Sequence, residues 1–140
     1  MPIDHVKLPV SDRDASKAFY SAALAPLGWK LVWDEIPTLG FGRGDGGEDD
    51  EPFALERTKQ PIARTHIALT AASPEEVDAF HAAAVAAGGR DNGPPGERPY
   101  GGYYYAAFVL DPDGSNVEAV YHGPVERSAD SVVFTWESPA

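Results

Sequence analysis

The chain has 140 residues, 43% of them hydrophobic and 24% charged, the make-up of one ordinary globular domain and not of a disordered segment. Its 22 acids against 11 bases give a net charge of -11, which repels phosphate backbones and anionic bilayers and so argues against nucleic-acid and membrane partners. There is no cysteine, so disulfides, thiolate nucleophiles and cysteine zinc sites are excluded, and any metal chemistry must use histidine, carboxylate and water.

The opening MPIDHVKLPVSDRDASKAFY carries charge throughout and lacks the apolar run of a signal peptide, and no stretch approaches the roughly 18 apolar residues of a membrane helix. A soluble cytoplasmic protein is the expectation. Residues 3–10 (IDHVKLPV) alternate apolar and polar, which predicts a strand. After Ser11, the residues Ala15, Ala18, Phe19, Ala22 and Ala23 recur at helical spacing and Gly28 follows the last turn, which predicts an amphipathic helix fraying at Pro26. GWKLVWDE, TLGFGR and PFALER read as three short strands. Between the last two, the acidic run Glu48–Glu51 reads as a solvated loop tip.

The pattern then restarts. RTHIALTA reads as a strand, and Ser73, Pro74 and Glu76 supply the cap, first-turn proline and capping-box acid of a second helix that stops at Gly88 and Gly89. DNGPPGERPYGG reads as a Gly/Pro-rich loop, with Asn92–Gly102 as a candidate lid over a cleft. YYYAAFVL and SNVEAVYH are the closing strands, joined by an Asp-Pro-Asp-Gly turn. His5 and His66, Leu8 and Leu69, Phe19 and Phe80, and Gly28 and Gly89 are each 61 residues apart. One offset spanning strand, helix and helix end indicates duplication, with two βαβββ modules at about 1–58 and 63–122 and a tail at 123–140.

Duplication places equivalent residues face to face. His5 and His66 lie in the opening strands, while Glu56 follows His5 by 51 residues and Glu118 follows His66 by 52, which makes the two acids near-matching. Two histidines and two glutamates form a mixed nitrogen and oxygen set for one divalent ion, Ni, Zn, Co, Mn or Fe(II), with positions left for water or substrate. Aromatic residues are candidates for the pocket wall, among them Phe53, Tyr103 and Tyr105. Strand alternation puts Tyr103 and Tyr105 on one face, and Tyr104 with Ala106 and Phe108 on the other. His81 and His122 are weaker candidates, the latter at a cleft rim. The tail segment SVVFTWE reads as an apolar edge strand wanting a partner.

These residues carry a family likeness. The pairs His5…Glu56 and His66…Glu118 on βαβββ units, with YAAFVLDPDGSNVEAV before the last acid, resemble the vicinal oxygen chelate superfamily over about residues 3–122. That superfamily contains glyoxalase I, bleomycin and fosfomycin resistance proteins and extradiol dioxygenases. The resemblance implies an α+β fold in which the two modules form a curved mixed sheet around a cleft. It implies metal positions at His5, Glu56, His66 and Glu118, the set most similar to small bacterial glyoxalase I. It also implies a lyase or isomerase that acts on a small substrate such as a hemithioacetal through an enediolate, with Glu56 or Glu118 as base, and a homodimer. Glyoxalase I recognises glutathione with cationic groups, yet no evident clamp stands out among Lys7, Arg13, Arg43, Arg57, Arg64 and Arg98. The alternatives are a non-catalytic binding protein like the bleomycin resistance proteins, and an Fe(II) extradiol dioxygenase-like enzyme that would use only His5, His66 and Glu118.

Overall fold

A computed structural model describes residues 4–44 and 53–124; the acidic run Glu48–Glu51 and the tail segment SVVFTWE lie outside the described residues. The first module runs β1 (Val6–Val10), α1 (Arg13–Leu24), a 3-10 turn (Ala25–Leu27), β2 (Lys30–Glu35), β3 (Thr38–Gly42) and β4 (Phe53–Arg57). The second runs β5 (His66–Thr70), α2 (Pro74–Ala86), β6 (Arg90–Glu97), β7 (Tyr105–Leu110) and β8 (Asn116–Tyr121). The fold is α+β, with two tandem βαβββ units. The eight strands divide into two four-stranded mixed sheets of matching order, β1-β4-β3-β2 and β5-β8-β7-β6, in which β1 pairs parallel with β4 and β5 parallel with β8.

Local chemistry explains the element boundaries. Asp12 caps α1 by accepting from the backbone N–H groups of Asp14 and Ala15, and Ser73 caps α2 by accepting from Glu76 N. The two caps stand 61 residues apart, so the repeat offset holds at the helix starts. Glu76 Oε2 accepts from Ala72 N at 2.7 Å, one residue before the cap and not from Ser73 N as in the expected capping box. Pro26 does not fray α1 but sits in the 3-10 turn, which Gly28 closes in the left-handed conformation at φ 76°. Gly89, its partner in the repeat, is a glycine for a different reason. A Cβ there would lie 2.5 Å from Val109 Cγ1 and 2.6 Å from Phe19 Cε2, so close packing excludes a side chain.

One expectation is overturned. The segment read as a loop and lid is mostly the edge strand β6, paired antiparallel with β7. Its register shifts twice, between Asp91 and Gly93 and between Gly93 and Gly96, around Pro94 and Pro95, which have no N–H to give a ladder. Prolines and glycines are tolerated at bulges on an edge strand, and that is where these stand.

Each sheet lays one face on its helix. In the first module Leu8, Val10, Leu39, Phe41, Phe53 and Leu55 pack against Phe19, Tyr20, Ala23 and Leu24; in the second Leu69, Ala107, Val109, Val117 and Ala119 pack against Val77, Phe80 and Ala84. The modules are joined through this core, α1 against α2 and α2 against the 3-10 turn. A polar latch adds to it at the Asp-Pro-Asp-Gly turn. Asp111 Oδ1 accepts from Asp113 N and Ser115 N, while the buried Tyr20 hydroxyl donates to Asp111 Oδ2 at 2.7 Å and Ser11 N donates to Asp113 Oδ2 at 3.1 Å. The other face of each sheet is left open, and it is there that the candidate ligands point.

Candidate functional site

Strand parity builds the open face of the second sheet. Val117 and Ala119 of β8 enter the core, so Glu118 between them points the other way, and its ladder partners are Ala68 on β5 and Phe108 on β7. His66 opens β5 on the same face. Its Nε2 lies 2.8 Å from Glu118 Oε2, and the Tyr104 hydroxyl donates a short hydrogen bond to Glu118 Oε1. The Glu118 side chain is only 2% exposed, whereas that of His66 is 53% exposed. A buried carboxylate is strongly disfavoured unless its oxygens are engaged. Here both are engaged, one by an imidazole that also faces solvent.

The aromatic surroundings fix these groups. The Phe108 ring stands edge-on to His66 at 6.2 Å, and Tyr104 is flanked edge-on by His122 at 4.8 Å and Tyr100 at 5.0 Å. Burial, followed by the hydrogen bond to Glu118, pushes the Tyr104 phenol up to about 12, so it remains a donor to the carboxylate across the neutral range.

The first module presents a different set. His5 precedes β1, its side chain is 59% exposed, and its Nδ1 lies 2.7 Å from Asp4 Oδ1. Glu56 pairs with Lys7, Nζ to Oε2 at 2.9 Å. Ladder register separates the two acids that looked equivalent. Glu118 stands opposite Ala68, whose counterpart 61 residues earlier is Lys7, and Lys7 stands opposite Ala54. The position matching Glu118 is thus Ala54. Glu56 lies two residues further on, on the same face but about 6.7 Å along the strand. Among the described residues no three His, Asp or Glu side chains are close enough together to hold a metal ion. His66 and Glu118 are brought together within one chain; His5 and Glu56 do not join them there.

The aromatic candidates sort by face. Tyr105 points to the helix side, where its hydroxyl donates to Asp78 of α2, and Phe53 is fully buried among Tyr20 and Phe41, so neither can touch a ligand on the open face. Tyr103 is 43% exposed and stands edge-on to Tyr121. His81 is bound to Asp91. Tyr104 takes the place given to its neighbours, and it was findable: it shares the alternation face of Phe108, directly across the ladder from Glu118. His122 borders a cleft of about 720 Å³ with Arg43, Thr70, Tyr121 and Pro124, at the junction of the two modules.

Comparison with known proteins agrees with this architecture. Residues 2–119 match the model of the Glyoxalase/Bleomycin resistance protein/Dioxygenase superfamily. A glyoxalase/bleomycin resistance protein from Albidiferax ferrireducens T118 is 33% identical, with 84% of this chain and 95% of that one covered and a TM-score of 0.70. A glyoxalase-related enzyme from Fulvimarina pelagi, 22% identical over 97% of this chain and 99% of its own, shares the fold with a TM-score of 0.68. A mutant glyoxalase I from Zea mays is 26% identical with a TM-score of 0.64; the match covers 85% of this chain but 45% of the maize chain. No curated protein matches the sequence. With a family model spanning most of its length and a relative one-third identical over nearly the whole of the shared fold, the chain belongs to the Glyoxalase/Bleomycin resistance protein/Dioxygenase superfamily.

Proposed function

We propose that the chain is a divalent-metal-dependent, glyoxalase I-like enzyme for a small molecule bound through two vicinal oxygens, with His66 and Glu118 as metal ligands. The observation that carries this reading is His66 Nε2 at 2.8 Å from the buried Glu118 carboxylate, a nitrogen and oxygen pair suited to a borderline divalent ion. Tyr104 holds the second carboxylate oxygen and so orients the ligand, as outer partners do in metal sites. A bound divalent ion supplies Lewis-acid stabilisation of the charge that develops on substrate oxygens. Glu56, brought to the site with His5 by a second copy of the chain, is assigned the proton-acceptor role, because it is half exposed beside Lys7 whereas both oxygens of Glu118 are already engaged.

The remaining histidine ligand in this reading is His5 of a second copy. Two features support a shared site: the modules of one chain meet through their helices, and β1 and β5 are edge strands carrying the His5 and His66 ends of open faces. Mixing His5→Ala and His66→Ala chains tests it, since one intact site re-forms in a mixed dimer only when the ligands come from different copies. Metal content of the purified chain, with Ni, Zn, Co, Mn and Fe(II) re-added after chelation, tests the centre itself. Stoichiometric binding lost in His66→Ala and turnover of a hemithioacetal lost in Glu56→Gln are expected. A chain that binds no metal refutes the reading and leaves a metal-free binding protein.

A second reading rests on one specific observation. With Glu56 displaced two residues from the counterpart of Glu118, the ligand set reduces to two histidines and one glutamate, the set expected of an Fe(II) extradiol dioxygenase-like enzyme. Oxygen consumption with a catechol and a requirement for Fe(II) would select it over the lyase.

A further inference from the structure

The Gly-Pro-Pro-Gly-Glu-Arg segment at the end of β6, with Arg98 just beyond the strand, is not used by the metal reading, yet it builds a seat for one cation. The Arg98 guanidinium lies over the Phe108 ring at 5.4 Å, and the centroid of the same ring is 6.2 Å from that of His66. Two glycines make room for it. A Cβ on Gly93 would come 2.8 Å from Phe108 Cδ2 and 3.4 Å from Arg98 Nη2, and one on Gly96 would come 3.2 Å from Arg98 Nη1. Nη2 donates to Pro94 O and Nη1 to Glu97 O, while Arg98 N donates to Tyr104 O at 2.8 Å and ties the seat to the residue that leads into β7.

Charge makes the seat informative. In a chain with 22 acids, the hydrogen bonds of the Arg98 side chain among the described residues go to backbone carbonyls and none to a carboxylate, which leaves its charge unneutralised above the Phe108 ring. A guanidinium has five N–H donors in a planar fork, and backbone carbonyls that hold two of them fix its orientation and leave the others for a ligand. The Phe108 ring lies under it, with the His66 ring next to that of Phe108, which suits a flat molecule.

We infer that Arg98 is the specificity residue of the open face, and that the substrate is a small planar organic anion whose carboxylate docks on Arg98 while its vicinal oxygens lie at His66 and Glu118. This deepens the metal reading above and rests on it for the chelating end only.

The test uses two probes that differ by one carboxylate, catechol and 3,4-dihydroxybenzoate, titrated by calorimetry into the full chain loaded with redox-silent zinc. Wild type is expected to bind the carboxylate probe about tenfold or more tightly than catechol, the ratio of a charge-assisted hydrogen bond. Arg98→Gln should remove that preference and leave catechol affinity within about twofold, and Arg98→Lys should restore part of it because it keeps charge but not the fork. Equal affinities in wild type, or an Arg98→Gln loss shared by both probes, would overturn the inference. If zinc and catechol do not bind, the metal reading has failed, and benzoate titrated into the metal-free chain decides the seat alone. Binding that Arg98→Gln weakens several-fold upholds the anion site, and binding indifferent to Arg98 overturns it.

Discussion

Replacing Tyr20 by Phe removes one hydroxyl and keeps the ring, so the edge-on contact to Phe19 at 5.0 Å and the tilted contact to Phe53 at 5.4 Å survive. What is lost is the buried hydrogen bond to Asp111 Oδ2, which ties α1 of the first module to the turn of the second. A hydrogen bond to a charged group contributes about 1.5–3 kcal/mol, and here its loss also leaves a buried carboxylate oxygen without its hydroxyl donor. Tyr20→Phe is therefore expected to cost about 2–3 kcal/mol in urea unfolding at pH 7 and to lower the thermal midpoint by about 5–10 °C. Burial, then the charge of Asp111, holds the Tyr20 phenol well above its ordinary value. A raised value in the folded state means that this contribution is fully present below the unfolded value, near pH 10, and is lost as pH rises through the folded one. The deficit of the variant should accordingly shrink in alkali. A double-mutant cycle with Asp111→Asn isolates the pair. A coupling below about 0.5 kcal/mol, or a deficit that does not change with alkaline pH, would refute the argument.

Three further outcomes follow from the geometry. Gly89→Ala should destabilise by about 1–3 kcal/mol or more, because its Cβ would overlap Val109, Phe19 and the Ala84 carbonyl, and an unchanged urea midpoint would mean that α2 and β7 part easily. Tyr104→Phe should weaken metal binding about tenfold or more by releasing Glu118 Oε1, with unaltered affinity in chelator competition as the contrary result. Hydrogen bonds from Lys17 and then Arg13 hold the Asp34 carboxyl below its ordinary value, so its contribution is present above the unfolded value and is lost as pH falls through the folded one. Asp34→Asn should flatten that acid limb of the stability curve, and an identical acid limb in the variant would count against the pairing.

Periodicity and caps were legible because they are local. The apolar spacing specifies both helices and the Ser73 cap the start of the second, and the shared offset of 61 between Phe19 and Phe80 and between Gly28 and Gly89 exposes the duplication without reference to contacts. Alternation likewise placed Tyr104, just before β7, and Phe108 on one face. The pairing of His66 with Glu118 was foreseeable from the same parity once β5 and β8 were taken as neighbours.

Other features were decided by pairing partners that are distant in the chain. The offset of 61 survives through the first strand and helix, but the connections before the last strand differ in length, so Glu56 and Glu118 differ by two ladder positions. A run as uniformly apolar as Phe53-Ala54-Leu55 has no alternation to say which residue turns inward, and only pairing with Phe41 and Leu8 puts Phe53 and Leu55 in the core. Gly93, Pro94, Pro95 and Gly96 carry turn propensity, yet β7 recruits them as a bulged edge strand, because an edge tolerates the missing N–H groups. The same pairing lays Arg98 across Phe108, a contact no local signal encodes. Local propensity and period thus determined the elements and their faces, while strand register, which depends on which segments lie side by side, decided that His66 meets Glu118 and that Arg98 meets Phe108.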